Sequence, residues 1–204
     1  MIPTLLGSFA LTALVIELTP GPNMAWLAGL TLTEGRRAGI AAVAGIALGL
    51  AIVGIAAALG VAALIDQIPA LFQVLRFAGA AYLVYLAWDT WRGEEEDADG
   101  LRGVRFGVYF RRGLITNLLN PKSALFYVAV LPRFLGLDGS GRVIEAVVLS
   151  IVYVAIATAV HLGVVLAAAR LFGTLTNDAR RRRIRAGFAL ALLVIAVWFV
   201  IGTA

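Results

Sequence analysis

The sequence predicts an all-α, polytopic membrane protein: six transmembrane helices forming two inverted three-helix repeats, with helices 1 and 4 broken by proline. Three observations carry this. Of the 204 residues, 61% are hydrophobic and only 14% charged, whereas soluble domains are about half apolar and about a quarter charged. Six apolar runs approach the ~20 residues that a spanning helix needs. Arginines crowd into alternate loops, as they do in bilayer proteins. No stretch is long and polar enough to fold alone. Residues 1–204 are therefore read as one transmembrane domain, with repeat 1 at about 1–92, a cytoplasmic loop at about 93–112 and repeat 2 at about 113–204.

Helix 1 covers roughly Pro3–Leu32, with Glu17 as its only charge. Helix 2 covers roughly Ala38–Ile65 and carries none. Helix 3, roughly Pro69–Trp91, holds Arg76 near its start and Asp89 near its end. Helix 4, roughly Gly113–Phe134, holds Lys122. Helix 5, roughly Val143–Ala169, holds His161, and helix 6, roughly Ala186–Gly202, is uncharged.

The loops after helices 1, 3 and 5 contain Arg36 and Arg37; Arg92, Arg102, Arg105, Arg111 and Arg112; and Arg170, Arg180–Arg183 and Arg185. The opposite side has Arg76, Arg133 and Arg142. The bias predicts that those three loops are cytoplasmic and that both termini lie outside. Glu94–Asp97 reads as a solvated acidic loop. Phe106, Tyr109 and Phe110, among arginines, suit the inner membrane interface. The Arg180–Arg183 run reads as a topology anchor, with anionic membrane lipid as a further partner. No cleavable signal peptide is expected, because the N-terminus lacks a basic region and its apolar run is too long.

The composition also excludes. With no cysteine, disulfides and thiolate chemistry are absent. The net charge of +5 reflects loop arginines and does not point to nucleic acid. There is no P-loop, no clustered metal-ligand motif and no Ser–His–acid spacing. No cofactor, no metal and no enzymatic activity are expected.

Two breaks organise the chain. Thr19-Pro20-Gly21-Pro22-Asn23 interrupts helix 1, and Asn117-Leu118-Leu119-Asn120-Pro121-Lys122 interrupts helix 4. Proline removes a backbone donor and opens the helix. Such a break at membrane depth is tolerated where it lines a cavity, and matched breaks in two inverted halves point to a transporter site. The restarted half-helices direct free N–H groups and a positive dipole end inward, and Asn23 is placed to cap the first. Asn117 and Asn120 share a face at i, i+3. Lys122 sits about ten residues from either helix end, too deep to snorkel easily. Glu17, at similar depth, would pair with Lys122, bind the opposite end of a zwitterion, or carry a proton. His161, on a stripe with Ser150, Tyr153 and Ala157, is either a proton relay or a structural hydrogen-bonding group. Tyr82, Tyr85 and Asp89 form a similar stripe, with Asp89 expected to cap or pair with an arginine. Trp88 and Trp91 read as interface anchors, and Gly45 and Gly49 as a helix-packing pair.

These segments resemble the LysE/RhtB family of amino-acid exporters. The likeness runs through Thr19–Asn23, Gly35-Arg36-Arg37-Ala38-Gly39, Gly79–Leu83, and Gly113–Lys122 with Phe126 and Leu131-Pro132-Arg133-Phe134. It covers nearly the whole chain, although the familiar motif has Gln where Arg133 stands and Glu17 is not a hallmark. The resemblance implies a secondary exporter of amino acids or related small metabolites across the bacterial inner membrane, coupled to protons, with alternating access between two inverted halves. The substrate contacts would be Glu17, Thr19, Pro20, Gly21, Pro22, Asn23, Asn117, Asn120, Pro121 and Lys122, with Glu17 and His161 as proton-coupling candidates. An inorganic ion exporter, or a membrane-embedded subunit or enzyme without transport, is the competing reading. Homo-oligomerisation is left open.

Overall fold

The computed structural model describes residues 2–60, 69–92, 106–136, 139–172 and 178–201, and every element among them is helical. In order these are α1 (Ile2–Leu18), α2 (Pro22–Glu34), α3 (Arg36–Ala58), α4 (Pro69–Arg92), α5 (Phe106–Leu118), α6 (Pro121–Leu125), α7 (Gly139–Phe172) and α8 (Asp178–Ile201). After α6 the chain runs through a π turn (Phe126–Val130) and a 3-10 turn (Leu131–Phe134).

Both predicted breaks are present. α1 and α2 meet at 56°, and α5 meets the segment from Pro121 to Phe134 at 49°. By length and composition, Arg36–Ala58 and Gly141–Leu171 can each cross a membrane alone, and each bent pair qualifies as one broken span. α4 and α8 have 24 residues each, about 36 Å at 1.5 Å per residue. α2 passes into α3 at Gly35, whose φ of 88° lies in the left-handed region and whose N–H bonds the Thr31 carbonyl at 3.0 Å. Only glycine takes that φ without strain.

Some boundaries differ from the expectation. α5 begins at Phe106, not Gly113, so the expected interfacial stretch is its first turns. Phe106 and Phe110 stack at 6.2 Å and Tyr109 is buried, which is the i, i+3/i+4 spacing of a packed helix. α8 begins at Asp178, so Arg180–Arg183 are helical. α3 ends at Ala58. Residues 61–68, the acidic Glu94–Asp97 and Gly202 lie outside the described residues.

Packing does not follow the two halves of the sequence. α3 packs most extensively against α5 and α7, while α4 pairs with α8. Glycines set the first seam: a Cβ on Gly45 would lie 2.0 Å from the Phe110 carbonyl oxygen, and one on Gly113 2.2 Å from that of Ala42. The backbones therefore touch, as the Gly45–Gly49 spacing predicts. In the second seam Arg76, 4% exposed, donates to Gln73 Oε1 at 2.9 Å and to the Val200 carbonyl on α8. α2 bridges the two groups, touching α3, α7 and α8. At the arginine-rich end, Asp89 on α4 takes a two-point grip from Arg112 on α5, at 2.8 and 3.0 Å. The expected partner of Asp89 is thereby identified. Trp88 and Trp91 are exposed, as anchors in an interface would be.

Candidate functional site at the two helix breaks

Proline and its neighbours shape both breaks in the same way. Pro22 and Pro121 each occupy the first position of a restarted helix, where the missing N–H is no loss. Before Pro121, Asn120 is the N-cap and accepts the Lys122 N–H at 3.0 Å. Before Pro22, Gly21 is the N-cap, in extended backbone and without a side-chain bond. Asn23 therefore does not cap α2, contrary to expectation, because it lies two residues past the cap. Its Nδ2 instead donates to Asn117 Oδ1 at 3.0 Å. Asn117 Oδ1 also accepts from Ser123 Oγ at 3.1 Å. One amide oxygen thus ties α2, α5 and α6 together.

The two charges meet the same space with separate partners. Glu17, 5% exposed, accepts from Tyr153 Oη at 3.1 Å, and its other oxygen lies 3.2 Å from His161 Nε2. His161 is 1% exposed, and its Nδ1 has no partner among the described residues. Lys122 Nζ donates to the Thr19 carbonyl at 2.7 Å. That carbonyl would serve the Asn23 N–H in an unbroken helix, and the break frees it. Gly21 lets the lysine pass: a Cβ there would lie 3.2 Å from Lys122 Cδ. Glu17 and Lys122 make no direct ion pair among the described residues.

Glu17, Gly21 and Asn23 line a cavity opposite Asn120, Lys122 and Ser123, with Met24 and His161 completing the wall. The space holds about one water molecule. Asn23 Oδ1, on that lining, is buried without a partner among the described residues, as is Asn117 Nδ2, which lies outside the lining against Gly49. Of the residues expected at the site, Thr19 contributes its carbonyl, Pro22 and Pro121 set the bends, and Asn117 braces from behind. Pro20 is exposed and outside the lining. The sequence reading missed Ser123 and Met24, and it did not anticipate the Tyr153–Glu17 bond. Tyr153 was legible only as a member of the His161 stripe. Its ring stacks on Phe126 at 3.7 Å, which fixes its direction. Among the described residues no three His, Asp or Glu side chains gather as a metal site.

Two helix breaks facing one buried charged cavity in an apolar chain are an arrangement that membrane transporters use. The chain is a member of the LysE type translocator family, which matches residues 14–203. Two relatives are the leucine efflux proteins of Salmonella choleraesuis (strain SC-B67) and Salmonella paratyphi A (strain ATCC 9150 / SARB42). Each is 37% identical over 134 residues, 63% of this chain and 62% of the relative. The match thus spans less than two thirds of those relatives' length. No solved structure matches the chain.

Proposed function

We propose that this protein is a proton-coupled secondary exporter of amino acids across the bacterial inner membrane. Its six spans would form two inverted three-helix repeats, with the arginine-rich loops cytoplasmic and both termini outside. The observation that carries the reading is the single cavity shared by Glu17 from the first break and Lys122 from the second. Lys122 and the N-terminus of the restarted α2 suit a substrate carboxylate. The unpartnered Asn23 Oδ1 suits a further polar group. Glu17, held by Tyr153 and His161, receives the ammonium group or a proton. Leucine is the first substrate to test, because the relatives are leucine efflux proteins. The packing favours alternating access in which the α4–α8 pair moves against α3, α5 and α7, in place of one sequence half rocking on the other.

The test is efflux of labelled leucine, and of a panel of other amino acids, from loaded proteoliposomes with and without a pH gradient. Gradient-stimulated efflux that disappears in a folded Lys122→Ala variant is the expected result. Parent-rate export by that variant sinks the site assignment, and no efflux of any amino acid by the parent sinks the function.

A further inference from the structure

The central cavity has room for about one water molecule, far less than an amino acid needs. The chain is therefore occluded, and it must open to load and to release. From the cavity towards the end opposite the arginine-rich loops, five aromatic rings stand in contact. Tyr153 on α7 is the first. Its hydroxyl donates to Glu17 at 3.1 Å, and its ring stacks on Phe126 with centroids 3.7 Å apart. Phe126 meets Phe9 on α1 edge-on at 5.9 Å, and Phe9 meets Phe134 edge-on at 5.2 Å. Tyr127 stands edge-on to both Phe126 and Tyr153. Phe9, Phe126, Tyr127 and Tyr153 are each at most 2% exposed. Phe9 precedes Glu17 on α1 by about 12 Å along the helix, so the rings reach well beyond the cavity.

Three of these rings ride on backbone that is not regular α-helix. Phe126 and Tyr127 open the π turn, and Phe134 ends the 3-10 turn that follows. Single π turns within helices recur at functional sites. The segment starts at the break before Pro121. It docks on α3 through the Tyr127 hydroxyl, which donates to the Leu50 carbonyl at 3.0 Å. A Cβ on Gly54 would lie 2.8 Å from that hydroxyl oxygen, so α3 presents a glycine where the tyrosine lands. At the root of the segment, Gly79 on α4 leaves no room for a side chain beside the Leu119 carbonyl. The α4–α8 pair thus bears directly on the break from which the segment departs.

We propose that Pro121–Phe134 is the gate through which substrate leaves the central cavity, with the Phe126–Tyr153 stack as its seal. Opening parts Phe126 from Tyr153 and Phe9 and releases the Tyr127 hydroxyl from α3. Tyr153 stays on α7 beside Glu17, so the seal lies immediately beyond the group that the substrate quits. α4, pressed on Leu119, is placed to drive the segment when the α4–α8 pair moves. The direction of passage rests on the export reading; the seal does not, and neither does it need Lys122 as a ligand.

The chain has no cysteine, so Met24→Cys on the cavity wall gives a single reporter for a membrane-impermeant methanethiosulfonate. Arg182→Cys, exposed at the arginine-rich end, marks which face of a vesicle is which. Reagent on the opposite face should label Met24→Cys slowly. Adding Phe126→Ala should speed that labelling about ten-fold and leave labelling from the arginine-rich face unchanged. Tyr153→Ala should act in the same way, whereas Tyr153→Phe, which keeps the stack and loses only the Glu17 bond, should not. Equal acceleration from both faces is what a merely loosened core would give, and it overturns the gate. So does a folded Phe126→Ala protein labelled at the parent rate. A second measurement needs no alanine variant. In Phe9→Cys/Phe134→Cys, a short reducible bis-methanethiosulfonate should stop efflux of the amino acids that the parent exports, and reductant should restore it. Efflux by the cross-linked protein at the uncross-linked rate overturns the gate. If the parent exports no amino acid, the export reading falls and the two-sided labelling alone decides the gate.

Discussion

Asn117 shows how much one buried acceptor holds. Its Oδ1 receives Asn23 and Ser123 from two other helices. Asn117→Ala strands both donors, at about 1–3 kcal/mol each. The variant should melt several degrees below the parent in detergent, measured by thermal unfolding. Gly21→Ala should behave differently, because its new methyl group meets only the flexible Lys122 stem. It should slow export with little change in melting temperature. Glu17→Gln and His161→Gln should each uncouple leucine efflux from the pH gradient, read as equal rates with and without it. Single residues such as Lys122 and Glu17 were legible in the sequence because a charge in an apolar run has few innocent explanations. Their partners were not. Tyr153 lies 136 residues from Glu17, and Asn117 lies 94 from Asn23. No local pattern encodes those distances.

At the scale of elements, proline and asparagine chemistry exposed both helix breaks, since Pro22 and Pro121 act on their own backbone wherever the chain packs. The starts of α5 and α8 were hidden by arginine. Charge marks where an apolar span ends, but it does not stop a helix, and Tyr109 and Asp178 lie in helical turns beyond that limit. Glycine has two distinct roles here. Gly45→Ala or Gly113→Ala would drive a methyl group into the backbone of the facing helix. Either should cost several kcal/mol, in the range of severe overpacking. Gly107→Ala and Gly187→Ala meet nothing within 4 Å and should stabilise by up to about 1 kcal/mol through helix propensity. Thermal unfolding of the four variants side by side checks the contrast.

For the molecule as a whole, helices from both parts of the sequence pack against one another, α3 on α5 and α7, and α4 on α8. The pattern of apolar runs marks where helices can form, not which neighbour each chooses. That choice lies in shape, as at the Gly45–Phe110 contact, and in long-range polar contacts such as Arg76 to Val200. The Asp89–Arg112 pair is one polar link between the α4–α8 pair and α5, beside the Tyr82 hydroxyl, which donates to the Arg112 carbonyl. Its two side chains are 29% and 18% exposed, so the pair itself is worth only about 0–1 kcal/mol. Its effect should appear in transport. Asp89→Arg and Arg112→Asp should each impair export, and the double exchange should recover much of it in the same efflux assay.

The glycine seam also dictates an order of assembly. α3 emerges during synthesis long before α5, yet its Gly45 face fits only the backbone of α5. Glu17 emerges earlier still and waits for Tyr153 and His161 on α7. Until α7 is made, the nascent bundle carries a carboxylate without Tyr153 and His161 beside it. Chains stopped before α7 should therefore be held at the insertion machinery or degraded, and the fold should close fully only when α8 arrives to pair with α4.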